Sequence, residues 1–232
     1  MTDLTDDDLK ALAQWDTPTI CNALEVAAPE RRGHGYTVVP FSCIDPTLPP
    51  MVGYARTVKM RAGSPDLSGP KTMADRIPYF EYIAGGPQPS IIVVEDLDPR
   101  PGTGAYWGEV QTTVHKGLGA LGAITNGSYR DVDDSAPGFQ MLGGMVNPSH
   151  AWVRAVDFDC PVSIHGMQVV TGDIIHADRH GAVVVPADVV KAIPDAVAAI
   201  SRKEAVILDA ARADGFNIDK LKHAIGEQAE IH

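Results

Sequence analysis

Residues 107–134 read WGEVQTTVHKGLGALGAITNGSYRDVDD, and the reading of this stretch decides the fold class. Gly108-Glu109 opens a short amphipathic segment, the apolar run ALGAIT follows, and NGSY leads into Arg130-Asp131. The spacing predicts turn, helix, strand and turn in that order. Unsatisfied N–H groups at a helix start favour an anion, and GEVQ supplies them. A guanidinium is a planar fork suited to a carboxylate. An aspartate is a hard oxygen ligand suited to magnesium, which keeps several waters. The ensemble points to a small carboxylate held beside a divalent metal.

The glycines inside this stretch invite another reading. GLGALG at 117–122 matches G-x-G-x-x-G to the letter. A dinucleotide site needs that motif after a strand and at the start of a helix. Here it closes a helix and enters a strand, so helix capping and close packing are expected instead.

Upstream, SIIVVED at 90–96 is a continuous β-branched run, as expected of a strand covered on both faces. It makes the central stretch the second half of a β-α-β unit. VGYARTVKM at 52–60 reads as another strand, with Tyr54, Arg56 and Val58 on one face. Nearer the N-terminus, Thr5 with Asp8 resembles a capping pair before a helix bearing Leu9, Leu12, Ala13 and Trp15. Thr17 as N-cap and Pro18 at the first position start a helix that stops before Pro29. Residues 63–78 read as a loop with at most one helical turn, and 79–84 as a short helix.

Downstream, PGFQMLGGMV reads as a short helix and turn. Short strands are expected at 151–158, 161–164, 167–170, 174–177 and 182–186, with a tight turn at 178–181. Asp188 caps a closing helix that is interrupted or restarted at Pro194 and runs to about Ala213. A weak helix follows Gly215. The sum is an α/β architecture with a mixed sheet, read as one domain over 1–232 with a core at about 15–212 and a helical tail at 213–232.

Composition sets outer limits. Of 232 residues, 44% are hydrophobic and 21% charged, enough to bury a proper core. The formal net charge is −11 with no Lys/Arg cluster, which argues against direct nucleic-acid binding but permits a basic protein partner. The acidic N-terminus lacks a signal pattern, and no apolar run reaches membrane-spanning length. Three distant cysteines without C-x-x-C read as buried reduced thiols of a cytoplasmic protein. His176 and His180 stand four apart, but the turn residues around them indicate exposed turn histidines, not a metal pair. His115 is expected to be packed or solvated. No His-Glu-x-x-His and no Gly-x-Ser-x-Gly occurs.

VGYARTV at 52–58, WGEV at 107–110, NGSYRD at 126–131 and VVTGDIIHADRHGAVVVP at 169–186 together resemble the RraA-like family. That family holds class II pyruvate aldolases such as 4-hydroxy-4-methyl-2-oxoglutarate aldolase, and the regulator of ribonuclease E activity. The resemblance covers roughly residues 15–212. It implies an α/β/β swivelling-type domain that assembles as a homotrimer or hexamer. It implies a lyase that uses a divalent metal cation, Mg2+ or Mn2+, to cleave a 4-hydroxy-2-oxo acid or decarboxylate oxaloacetate through a pyruvate enolate. Gly108, Glu109, Val110 and Gln111 match the substrate-cradling loop, Arg130 the substrate-binding arginine and Asp131 the metal-binding aspartate. Glu109 is a candidate base, and Glu204 the best match to a glutamate contributed by a neighbouring subunit. The alternative implied by the same family is a non-catalytic regulator of a ribonuclease E-like partner. The chain departs from the family pattern at Asn126 and Asn22, where aspartate is common. No Schiff-base lysine lies in these motifs, and no glycine-rich loop after a first strand suggests a methyltransferase.

Overall fold

Strands that are apolar on both faces need cover on both sides, and the computed structural model of the protein provides it. The structure describes residues 4–65 and 74–230. Its first elements are α1 (Asp6–Leu12), α2 (Thr17–Ala27), β1 (Ser42–Cys43), β2 (Met51–Arg61), α3 (Ile77–Ala84) and β3 (Ser90–Asp96). Next come β4 (Ala105–Trp107), α4 (Glu109–Gly117), β5 (Ala120–Thr125), β6 (Ser128–Tyr129), β7 (Gln140–Gly143) and β8 (Met145–Val146). The chain continues with β9 (Arg154–Phe158), β10 (Val162–Ile164), β11 (Met167–Val169), β12 (Ile174–Asp178), β13 (Gly181–Val185), α5 (Ile193–Arg212) and α6 (Ile218–Ala229).

The large sheet runs β1-β7-β5-β3-β2-β12-β13, with β9 also paired to β2. β2, β3, β5 and β7 are parallel to one another, and β12, β13, β9 and β1 add antiparallel pairs. β2 shares one edge between two partners. β12 aligns with Met51–Tyr54 and β9 with Val58–Arg61, with a register shift at Lys59/Met60. The mixed sheet curls into a half-barrel.

Alternation along the strands sorts the core into layers. On one face, α1, α2 and α5 bury Leu12, Ile20, Leu24 and Ile193 against Val52, Ile174 and Val183. Farther along that face, α3 brings Tyr79 and Ile83 onto Val58, Ile92 and Val94. On the other face, the β10–β11 hairpin sets Val162, Ile164 and Met167 on Ile91, Val93 and Ile175. The layers are helix, sheet and second β layer, the α/β/β arrangement that the family resemblance implies.

Several local expectations change. The cap of α2 is Asp16, which accepts from Thr19 N; Thr17 is the first helical residue. PGFQMLGGMV forms β7 and β8, not a helix. Its residues 140–143 are buried and pair with β5 and β1, so tertiary pairing overrides the local pattern. The strand expected from 151 begins at Arg154, since Ala151 adopts φ 45°. Helix α3 begins at Ile77, after a 3-10 turn at Ala74–Arg76. Residues 66–73 of the expected loop lie outside the described residues. Asp188 caps no α-helix: α5 starts at Ile193 after a 3-10 turn, with Pro194 in its first turn. The tail helix α6 is capped by Asn217 and tied to α5 through Gln228 Nε2 and Lys203 O, so it is better formed than its sequence suggests. The three cysteines are free and half-buried, not fully buried.

His176 is the largest correction. It is fully buried in β12 between β2 and β13. Its Nδ1 accepts from Thr17 Oγ1 at 3.0 Å, and its Nε2 donates to Trp15 O at 3.0 Å. Its neighbours mark a turn, but the strand runs on through Asp178, so the ring points into the core. His180 lies beyond it, 41% exposed and 3.1 Å from Asp178 Oδ1. His115 is also fully buried, in α4.

Burial lowers the pKa of both, that of His115 to about 4. Below its ordinary value near 6.5, the unfolded chain therefore binds protons that the folded chain refuses. Stability is fully present above that value and is lost as pH falls toward 4. Between pH 7 and pH 5, His115 alone should cost about 2 kcal/mol. Urea unfolding at pH 7, 6 and 5 reads this as a falling midpoint; a flat profile would contradict neutral buried histidines.

Candidate functional site

Three short parallel strands frame the site. β4, β6 and β8 pair in that order, with Trp107 opposite Tyr129 and Tyr129 opposite Val146. Their C-terminal ends therefore open on one edge. Gly108 follows β4, Arg130 follows β6 and Asn147 follows β8. Ligands of parallel sheets bind outside the carboxyl ends of strands. Arg130 N donates to Trp107 O at 2.9 Å, which sets Gly108 next to Arg130-Asp131.

Gly108 is the extended N-cap of α4 and brings no side-chain cap of its own. Asp131 supplies one: its Oδ2 accepts from Glu109 N at 3.1 Å. A Cβ on Gly108 would collide with that oxygen, so a side chain there would push the Asp131 carboxylate off the helix start. Asp131 reaches the helix start because its backbone is left-handed, φ 52°, a region aspartate tolerates better than most residues. Arg130 Nη1 lies 3.6 Å from Asp131 Oδ1, with both side chains about one-third exposed. Such a pair is worth at most about 1 kcal/mol and serves orientation more than stability. With Glu109 N capped, Val110 and Gln111 carry the remaining N–H donors of the first turn.

The far side of α4 is anchored in the core. His115 Nδ1 donates to Gln111 O at 2.7 Å, and its Nε2 accepts from the Tyr79 hydroxyl at 2.6 Å. The Trp107 ring meets His115 edge-on at 4.8 Å. Tyr106 lies nearby, its hydroxyl pushed up to about 12 by burial.

Gly108, Val110, Gln111 and Arg130 line a cleft of about 530 Å³. Arg76, Tyr106, His150, Trp152 and Arg154 also line it. These five come from three separate segments and carry no shared motif, so no local signal in the sequence marks them. Glu109 places its amide at the helix start, but its exposed side chain is not among the lining residues. Glu204 is exposed on α5, a helix packed on α2 and α6, and one chain does not bring it to the cleft.

Asp131 is the hard oxygen donor at this edge. Among the described residues, no three His, Cys, Asp or Glu side chains gather into a metal cage. One half-exposed carboxylate suits a magnesium-type cation, which takes one or two carboxylates and fills its shell with water and substrate oxygens. It does not suit zinc, which needs three or four protein ligands.

The residues of GLGALG serve packing. Gly117 ends α4, Gly119 takes φ 96°, and Gly122 lies in β5 against Gln140 O. The departure at Asn126 also has a structural role. Its Oδ1 accepts from Asp96 N at 2.7 Å and its Nδ2 donates to Asp96 O at 3.1 Å. This two-point clasp ties the end of β3 to the turn that carries Arg130. A carboxylate accepts but does not donate, so aspartate would make only half of it. Asn22 is exposed on α2 and does not line the cleft.

The family model for RraA-like proteins (Aldolase/RraA) matches residues 17–184. The chain belongs to the RraA-like family. Protein DlpA of Legionella pneumophila is 28% identical over 131 residues, 53% of this chain. That match spans only 20% of DlpA's length. An uncharacterized protein from Pseudomonas syringae pv. tomato superposes with a TM-score of 0.71 at 21% identity, covering 96% of this chain and 95% of the other. Streptomyces coelicolor RraAS2, described as an unusual member of the RNase ES inhibitor RraA family, gives 0.65 at 20% identity over 87% and 94%. At such identities the two structures support the fold alone. Among the described residues, no helix is long and apolar enough to cross a membrane.

The Asn126 clasp makes a measurable claim. Asn126→Ala strands the N–H and C=O of Asp96, a loss of about 1–3 kcal/mol. Thermal denaturation should show Tm lower by about 2–10 °C, whereas an unchanged Tm would deny the clasp any weight.

Proposed function

We propose that this chain is a divalent-metal-dependent carbon–carbon lyase. It would cleave a 4-hydroxy-2-oxo acid, or decarboxylate a related 2-oxo diacid, through a pyruvate enolate. One observation carries this reading: the first turn of α4, the Arg130 guanidinium and the Asp131 carboxylate meet at the C-terminal edge of β4 and β6.

The Val110 and Gln111 amides receive the substrate carboxylate, aided by the positive end of the α4 dipole. Holding that group fixes the angle of the scissile bond to the 2-oxo plane. As the bond breaks, negative charge moves onto the former carbonyl oxygen. Arg130 is a fixed cation at this edge, and its interaction strengthens as the charge develops. Gln111 Oε1 is buried without a partner among the described residues and offers an acceptor for a substrate hydroxyl. The Glu109 side chain does not line the cleft, so the 4-hydroxyl proton would pass to Glu204 from another copy in a homotrimer or hexamer. A magnesium or manganese ion held through Asp131 would supply Lewis acidity toward the 2-oxo acid.

Pyruvate release from oxaloacetate and from a 4-hydroxy-2-oxo diacid, with magnesium and then with chelator, tests this. Arg130→Ala and Asp131→Ala should each lower turnover by about 100-fold or more, with circular dichroism unchanged. Near-normal turnover in either variant would remove its residue from the mechanism. Silence of the wild type across the panel, with tight binding to a ribonuclease E-type enzyme, would favour the regulator reading.

A further inference from the structure

Among the described residues, Arg56 is the one lysine or arginine that is buried, with 7% of it exposed. It stands on the helix-facing side of β2. Tyr54, before it, packs with the residues that α1, α2 and α5 cover, and Val58, after it, with those that α3 covers. Arg56 thus fills the seam between two helical layers. Its guanidinium carbon lies 3.8 Å from the centre of the Tyr82 ring, and its Nη2 donates to Tyr82 O. Gly86 lies flush against the group: a Cβ there would sit 2.5 Å from Nη1. None of these residues lines the cleft.

The chain answers its other charges at such positions. Arg32, Arg61 and Arg130 each lie within 4 Å of a carboxylate. The buried carboxylates of Asp96, Asp98 and Asp178 each accept from two backbone N–H groups. Among the described residues, Arg56 has no carboxylate within 4.0 Å and no acceptor beyond Tyr82 O. Its Nε is buried without a partner. A guanidinium has five N–H donors and keeps its charge at any pH a protein survives. It does not escape the cost of burial by losing its proton, as His115 does. The Tyr82 ring and one carbonyl offset part of that cost, but a buried cation is ordinarily paired. Ser90 is opposite Tyr54 in the register, so it shares this face. Its fully buried hydroxyl also has no partner among the described residues.

We propose that Arg56 anchors a carboxylate brought from outside the chain, received on the Nη1 side of its fork at the seam beside α3. A planar fork stacked on a flat ring suits a planar two-oxygen group. The narrow opening admits one acid group and excludes a bulky body. Two sources present such a group. One is a small free acid. The other is an Asp or Glu side chain on a second copy of this chain, which carries 30 of them. The site is independent of the lyase reading, since none of its residues enters that mechanism.

Thermal denaturation and sedimentation velocity of the full chain test the site, in acetate and in chloride of equal ionic strength. Arg130→Ala serves as the background, so that acetate held in the cleft does not contribute. If the source is a free acid, acetate at about ten times its dissociation constant raises Tm by about 3–6 °C over chloride. Arg56→Met then abolishes the rise. If the source is a second copy, Tm and the sedimentation coefficient rise with protein concentration instead, and Arg56→Met weakens association by about tenfold or more. Arg56→Lys keeps the charge without the fork and should lose most of either effect. It decides the matter if Arg56→Met does not fold. A background protein that responds neither to acetate nor to its own concentration overturns the site, whatever the variants do. A response that the Arg56 variants leave intact overturns it as well.

Discussion

The parallel pairing of β4 with β6 is the constraint on which the candidate site depends. Each strand is only two or three residues long, too short to persist alone. Its stability comes from burial: Trp107 and Tyr129, opposite each other in the register, are both nearly inaccessible. The pairing fixes where the chain emerges, so the start of α4 and the Arg-Asp pair leave the sheet side by side. The Trp107 ring then packs on His115, which bonds the carbonyl of Gln111. One aromatic side chain thus joins the frame of the site to the helix that the frame positions.

Long, strongly patterned elements were legible in the sequence. SIIVVED is β3 residue for residue, and 52–60 lies within β2. The central helix and strand stand where the glycine punctuation put them. What escaped was short pairing. β4, β6, β7 and β8 have two to four residues each, and partners far away in sequence. Nothing local distinguishes such strands from turns. His176 illustrates a different limit: a strand over 174–177 was legible, but the turn residues Asp173, Asp178 and Gly181 around it hid that the ring faces the core.

The site divides in the same way. Residues 108–111 and 130–131 were recognisable because each group keeps its chemistry within a few consecutive positions, and the structure brings the groups together. The other residues lining the cleft were not recognisable. Arg76 and Arg154 are 78 positions apart by their numbers, and their common feature is a shared space. Asn126 stood out in the sequence as a departure without a reason. Its reason is a backbone clasp, which only the positions of Asp96 N and Asp96 O reveal.

Asp131 is placed so that one carboxylate serves two clients. Its Oδ2 closes the start of α4, and the same group is the hard donor available to a cation. An ion that took Oδ2 itself would compete with the Glu109 amide for it, whereas one held through Oδ1 would leave the cap in place. Linkage would make such an exchange reciprocal: ion binding would loosen the grip of Asp131 on the helix start, and a firmer grip would weaken the ion to the same degree. Withdrawal also uncovers a third amide beside those of Val110 and Gln111. Were a cation held through that oxygen, its occupancy and the anion affinity of the helix start would be coupled within a single side chain, without movement of a domain.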